Sequence, residues 1–81
     1  MEKKNFTVTA VGKYGLEILN RISGLYLQKN IPVSSLLFTR GENGTGSYRL
    51  EVEAPENTMA RTILQMKNIV DIKDVNYYTN K

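Results

Sequence analysis

Apolar and polar residues alternate along this chain with a period that itself changes, and the changes mark out the elements. Phe6, Val8 and Ala10 alternate with Thr7, Thr9 and Val11. Period two in β-favouring residues predicts a strand. Gly12 and Gly15 bracket a turn. From Leu16 to about Lys29 the spacing lengthens: Leu16, Leu19, Ile22 or Ser23, and Tyr26 share one stripe, with Ile18 and Leu25 beside it. That is an amphipathic helix. Gln28-Lys29-Asn30 closes it, and Pro32 prevents its continuation. Val33 to Arg40 predicts a second strand. Gly41 to Gly46, with three glycines, predicts a hairpin connection. Ser47 to Ala54 alternates most cleanly, with Tyr48, Leu50, Val52 and Ala54 on one face and Arg49, Glu51 and Glu53 on the other. Pro55 ends that strand, and Asn57 or Thr58 is placed to cap a second helix. Its stripe is Met59, Ile63, Met66 and Val70, with Ala60 and Leu64 alongside. Ile72 to Tyr78 predicts a last strand, with a bulge around Lys73-Asp74 where alternation fails.

The order is βαββαβ. Each helix has a single apolar stripe, so both must lie on one face of the sheet. Right-handed crossovers then give a ferredoxin-like α+β sandwich. It has a four-stranded antiparallel sheet, two helices on one face, and the first and third strands at its centre. No linker, repeat or low-complexity segment divides the chain. It reads as a single domain over residues 1–81, with its core from about 6 to 78.

Composition narrows the chemistry. There are 81 residues, with no cysteine and no histidine. Disulfides, thiolate metal sites, the usual zinc and iron ligands and the Ser-His-Asp triad are excluded. A domain this short buries only roughly 60–65% of its unfolded surface, and oligomerisation is the support that remains open to it. Apolar residues make up 41% and charged residues 23%, as in an ordinary globular domain. The net charge of +3 includes Lys3, Lys4 and Lys81 near the ends, so it argues little for nucleic acid. Apolar runs such as Leu36 to Phe38 are too short to cross a membrane. Met1-Glu2-Lys3-Lys4 is not followed by the apolar core of a signal peptide, so a cytoplasmic protein is expected.

Three sites can be read from the residues alone. An RNA-binding sheet stacks bases on aromatics of its central strands. Here the open face would show Thr7, Thr9, Val11, Arg49, Glu51 and Glu53, with no aromatic and two carboxylates where phosphates would pass. Glu51 and Glu53 sit i, i+2 on one strand face, and a carboxylate pair can be catalytic. No pocket-forming loop flanks them, and a solvated face is the simpler reading. Gly41 to Gly46 is not followed by a helix amino terminus, so it reads as a hairpin rather than a phosphate cradle. No catalytic residue, cofactor or metal is expected.

A binding module is better supported. Arg21-Ile22-Ser23-Gly24-Leu25-Tyr26 leads through a polar helix end to Ile31-Pro32-Val33-Ser34-Ser35-Leu36. Later, Met66-Lys67-Asn68-Ile69-Val70-Asp71-Ile72 runs on to Val75. Together these stretches resemble ACT domains, the second in particular the short, single-domain type of small regulatory subunit of acetolactate synthase. The resemblance covers roughly Phe6 to Tyr78. It implies a non-catalytic, homodimeric regulatory subunit in branched-chain amino-acid biosynthesis that activates a separate catalytic chain. It also implies an amino-acid site near the loop after the first strand, at Gly12, Tyr14, Gly15, Leu16, Glu17 and Ile18, with Pro32 and Val33 at the second strand. This sequence departs from the family there. The ligand-holding Asn or Asp falls at Tyr14 or Gly12, depending on alignment, and Glu17 brings a carboxylate toward a ligand carboxylate. Pro32-Val33 stands where the family has Asn-Ile, and Pro32 has no backbone N–H. Weak or absent amino-acid feedback is the expectation. The alternative is a free-standing amino-acid sensor serving another enzyme or a transporter.

Overall fold

The computed structural model describes residues 2–80. The elements are β1 (Lys3–Lys13), α1 (Leu16–Gln28), β2 (Val33–Arg40), β3 (Thr45–Pro55), α2 (Glu56–Lys67) and β4 (Ile72–Thr79). The four strands form one antiparallel sheet in the order β2-β3-β1-β4, a ferredoxin-like arrangement with β1 and β3 at its centre. β1 runs against β3 from Lys3↔Pro55 to Lys13↔Thr45, longer at both ends than the alternation alone indicated. The bulge expected near Lys73-Asp74 is present. Val11 faces Asp74 and Gly12 faces Ile72, so Lys73 is the extra residue.

The core is built from the alternating strand positions and the helix stripes. Phe6, Val8, Ala10, Tyr48, Leu50, Val52, Ala54 and Val75 come from the sheet. Ile18, Ile22, Tyr26, Met59, Ile63 and Met66 come from the helices. Burial of each large apolar side chain is worth about 1.5–3 kcal/mol. The Tyr26 hydroxyl, deep inside, donates to Met66 Sδ at 3.1 Å. The buried Thr62 hydroxyl donates to the Thr58 carbonyl at 2.8 Å.

The helix stripes are rotated from the expected ones. On α1 the buried line is Ile18–Ile22–Tyr26, while Leu16 is 67% exposed. Two residues turn a helix by about 200°, so Ile18 inward puts Leu16 outward. α2 starts at Glu56, one residue before the expected caps. Pro55 is its N-cap, and Asn57 Oδ1 accepts the Thr58 N–H at 2.9 Å within the first turn. The helix ends at Lys67, so Val70 falls outside it and is exposed, whereas Ile69 packs on the core. Leu64 is likewise exposed, about 100° round from Ile63.

The end of α1 is well defined. Asn30 has φ 58°, the Asn30 N–H reaches the Leu27 carbonyl at 3.1 Å, and the Ile31 N–H reaches the Tyr26 carbonyl at 3.0 Å. That pair of bonds is a Schellman motif, with Ile31 packed beside Tyr26 as its apolar contact. It turns the chain directly into β2.

Candidate functional site

The residues expected to hold a ligand lie in two groups, one at each end of α1. Gly12 is the penultimate residue of β1 and is buried. A Cβ there would collide with the Asp71 carbonyl and stand 2.9 Å from Ile72 Cα. The absence of a side chain is what lets the start of β4 close on β1. The Lys13 N–H donates to the Asp71 carbonyl at 2.9 Å, and the Tyr14 N–H to the Gly44 carbonyl at 2.8 Å. The Tyr48 hydroxyl adds a 2.7 Å bond to the Lys13 carbonyl. The loop from β1 to α1 is thus tied to both neighbouring turns, and two of its backbone donors are engaged.

Tyr14 covers that end. Its ring stacks on Phe38 with centroids 4.8 Å apart, and Phe38 stacks on Tyr48 at the same spacing. The Arg40 guanidinium stands 5.7 Å from the centre of the Tyr14 ring. Gly46 lies under the Tyr14 backbone, where a Cβ would come within 3.0 Å of Tyr14 Cα. The three-ring ladder went unread in the sequence. Its only signal was an aromatic residue at the end of each of three chain segments that the topology brings together.

Gly15 is the extended N-cap of α1, and its carbonyl accepts the Leu19 N–H at 3.2 Å. Leu16 and Glu17 are exposed on the first turn, and Ile18 is buried in the core. Glu17 there suits the positive end of the helix dipole. Pro32 and Val33 follow the other end of α1. Ten helical residues, from Leu19 on, separate them from the first group, about 15 Å of helix. The Pro32 carbonyl accepts the Glu53 N–H at 3.1 Å, and Val33 is exposed. Within one chain the two groups do not meet.

Between α1 and β2 the structure holds a groove of about 530 Å³ that sequence reasoning missed. Asn20, Ser23 and Leu27 line it from the helix, and Val33 and Leu36 from the strand. Leu27 lies off the buried stripe and is 78% exposed. That off-stripe leucine, and the unbroken Leu36-Leu37-Phe38, which makes both faces of β2 apolar, were the available signals.

Among the described residues no group of three His, Cys, Asp or Glu is placed to hold a metal. Glu51 stands 4.0 Å from Arg49 on the open face of the sheet, an exposed pair of small energetic weight. Among the described residues no helix is long and apolar enough to cross a membrane. Burial pushes the Tyr26 phenol well above its ordinary range, so it stays a hydrogen-bond donor to sulfur.

This architecture, a ferredoxin-like sandwich, is a fold that ACT domains share. No family model matches the chain, and no curated protein matches its sequence. Solved structures do match its fold. The ACT domain of GTP pyrophosphokinase from Chlorobium tepidum superposes with a TM-score of 0.82 at 10% identity, over 95% of this chain and 100% of that one. The small subunit of acetolactate synthase from Thermotoga maritima gives 0.78 at 15% identity, over 91% of this chain and 47% of that one. A homoserine dehydrogenase from Thiobacillus denitrificans gives 0.81 at 9% identity, over 96% of this chain but 17% of that one.

Proposed function

We propose that this chain is a non-catalytic regulatory subunit of acetolactate synthase type, a single ACT-like domain over residues 1–81 that works as a homodimer on a separate catalytic chain. The observation that carries the reading is the combination of an ACT fold with the Met66-to-Val75 stretch quoted above, on a sheet that also superposes on an acetolactate synthase small subunit. Regulation then follows from differential binding. The subunit activates to the extent that it prefers the active conformer of its partner. Feedback by an amino acid is weak or absent. The Lys13 and Tyr14 N–H groups are already bonded within the chain, Tyr14 is stacked on Phe38, and Pro32 offers no N–H.

The test is to titrate the purified chain into the catalytic subunit and follow acetolactate formation. A rise that saturates is expected, with little change on adding valine. An unchanged rate at saturating amounts overturns the reading.

The second reading, a free-standing sensor for another enzyme or a transporter, is favoured by one observation. The groove between α1 and β2 is apolar and large enough for a small ligand. A thermal-shift screen over the amino acids separates the two, since a ligand of the folded state raises the melting midpoint. A flat screen supports the partner-binding subunit.

A further inference from the structure

Asn43 and Gly44 form the tip of the hairpin between β2 and β3. Asn43 has φ 56° and Gly44 φ 75°, both in the left-handed region. The Thr45 N–H donates to the Glu42 carbonyl at 3.0 Å, and the Thr45 hydroxyl donates to the same carbonyl at 2.6 Å. This is a type I′ turn, which asks for positive φ at both central residues and so favours Asn-Gly. The turn leaves two groups unused. Among the described residues neither the Gly44 N–H nor the Asn43 carboxamide takes part in a hydrogen bond, and Asn43 is exposed.

Those two groups can react with each other. An asparagine carboxamide carbon is an electrophile within reach of the next backbone nitrogen. At Gly44 no Cβ obstructs that nitrogen. Every other asparagine precedes a residue with a side chain, and after Asn5, Asn30, Asn68 and Asn76 it is aromatic or β-branched. The attacking nitrogen must give up its proton, and the adduct it forms carries negative charge. Lys13 of β1 and Lys73 of the β4 bulge line a cavity of about 190 Å³ together with Asn43 and Gly44. Asp71 is the carboxylate-bearing residue that shares this cavity, and Glu42 precedes Asn43 in the chain without lining it. Ammonium groups beside a developing anion lower the barrier to forming it.

We propose that Asn43 is a site of spontaneous covalent modification, in which the Gly44 nitrogen closes on Asn43 Cγ and the cyclic imide then opens to aspartyl and isoaspartyl forms. In the closing step the bond from the Gly44 nitrogen to Cγ forms and the Cγ–Nδ2 bond breaks. The Gly44 amide proton leaves with Nδ2 as ammonia. Water is the one co-reactant, and no electrons change hands. Hydrolysis at the side-chain carbonyl leaves an aspartate in the ordinary backbone. Hydrolysis at the backbone carbonyl routes the chain through the side chain and lengthens it by one carbon. Ring closure needs Asn43 to leave its left-handed conformation, so the reaction runs from the locally opened turn and is slower than in the unfolded chain. Its consequence lies in the neighbouring loop. The Tyr14 N–H is held by the Gly44 carbonyl at 2.8 Å, and a lengthened chain cannot keep that carbonyl in place. The isoaspartyl form therefore releases the segment between β1 and α1. The inference is independent of the proposed function.

Ageing the full chain at physiological temperature and mapping it by mass spectrometry tests the proposal. Trypsin cuts after Arg40 and Arg49, and Asn43 is the only carboxamide residue in the peptide 41–49. That peptide gains about 1 Da and splits into two chromatographic species, one of which accepts methyl groups from a protein isoaspartate methyltransferase. Conversion is faster at alkaline pH. Asn43→Gln, whose ring would be one atom larger, keeps its mass. Lys13→Gln with Lys73→Gln, checked for folding by far-UV circular dichroism, slows conversion about twofold or more. Hydrogen exchange at the Tyr14 amide is about tenfold faster in the isoaspartyl form than in the fresh chain. A folded chain that keeps the mass of this peptide while the chain in guanidinium converts completely overturns the proposal. A double lysine variant that converts as fast as the wild type overturns the part given to the cavity. Unchanged exchange at Tyr14 in the isoaspartyl form overturns the release of the loop.

Discussion

Replacing Gly12 by alanine asks whether this residue of the expected ligand loop serves packing or binding. The added Cβ would collide with the Asp71 carbonyl and lie 2.9 Å from Ile72 Cα and 3.1 Å from the Asp71 carbonyl carbon. All three are backbone atoms, so no rotamer change relieves the contact. β4 must move off β1, and the 2.9 Å bond from the Lys13 N–H to the Asp71 carbonyl stretches with it. Overpacking of this kind costs about 1–3 kcal/mol. A weakened backbone hydrogen bond adds about 1 kcal/mol. Against these, alanine restricts the unfolded chain and returns about 0.4–1 kcal/mol. The net loss is about 2.5 kcal/mol, which for a domain of this length lowers the melting midpoint by about 10–20 °C. Differential scanning calorimetry, with a guanidinium titration to check that the transition stays two-state, measures it. A fall of less than about 3 °C would refute the packing role and return Gly12 to the ligand reading.

Other expectations follow from the same geometry. Tyr26→Phe removes the buried bond to Met66 Sδ and lowers stability by about 1 kcal/mol in a urea titration at neutral pH. Burial holds the Tyr26 proton in the folded chain above pH 10, where an unfolded tyrosine loses it, so the folded state binds more protons there and stability falls as pH rises. The wild type therefore loses stability above about pH 10 more steeply than Tyr26→Phe, and parallel slopes would contradict this. Tyr14→Ala dissolves the stack on Phe38, worth about 0.5–1.5 kcal/mol, and speeds hydrogen exchange at the residue 14 amide bonded to Gly44. Asn30→Val, a β-branched residue forced to φ 58°, costs about 1–2 kcal/mol by thermal melting, whereas Asn30→Gly is close to neutral.

Period two at Phe6–Ala10 and Tyr48–Ala54 identified the central strands and their buried faces, because those positions must alternate between core and water. The break in alternation at Lys73-Asp74 announced the bulge for the same reason. The helices were legible as helices but not in their rotation. Leu16, Leu19 and Ile18 are all apolar, and only the packed sheet decides that Ile18 turns inward. The expected site was legible as chain positions and not as a place. Gly12 to Ile18 and Pro32-Val33 are near in sequence, yet α1 holds them apart, and helix length does not show in a motif. The ring ladder of Tyr14, Phe38 and Tyr48 was hidden because it joins segments that meet only through strand order.

The pairing of β1 with β4 couples the first and last strands of the fold. The Asn80 N–H bonds the Asn5 carbonyl at 2.8 Å, and the Thr7 hydroxyl donates to Asn80 Oδ1 at 2.9 Å. Thr7 is buried even though it lies on the face of the sheet away from the helices. During synthesis β1 leaves the ribosome first and can pair with β3 once the hairpin follows. Its other edge then stays open until β4 has been made. Contacts of such long sequence separation also slow the closing step once the chain is free. A nascent chain therefore carries an unsatisfied central strand until β4 has emerged.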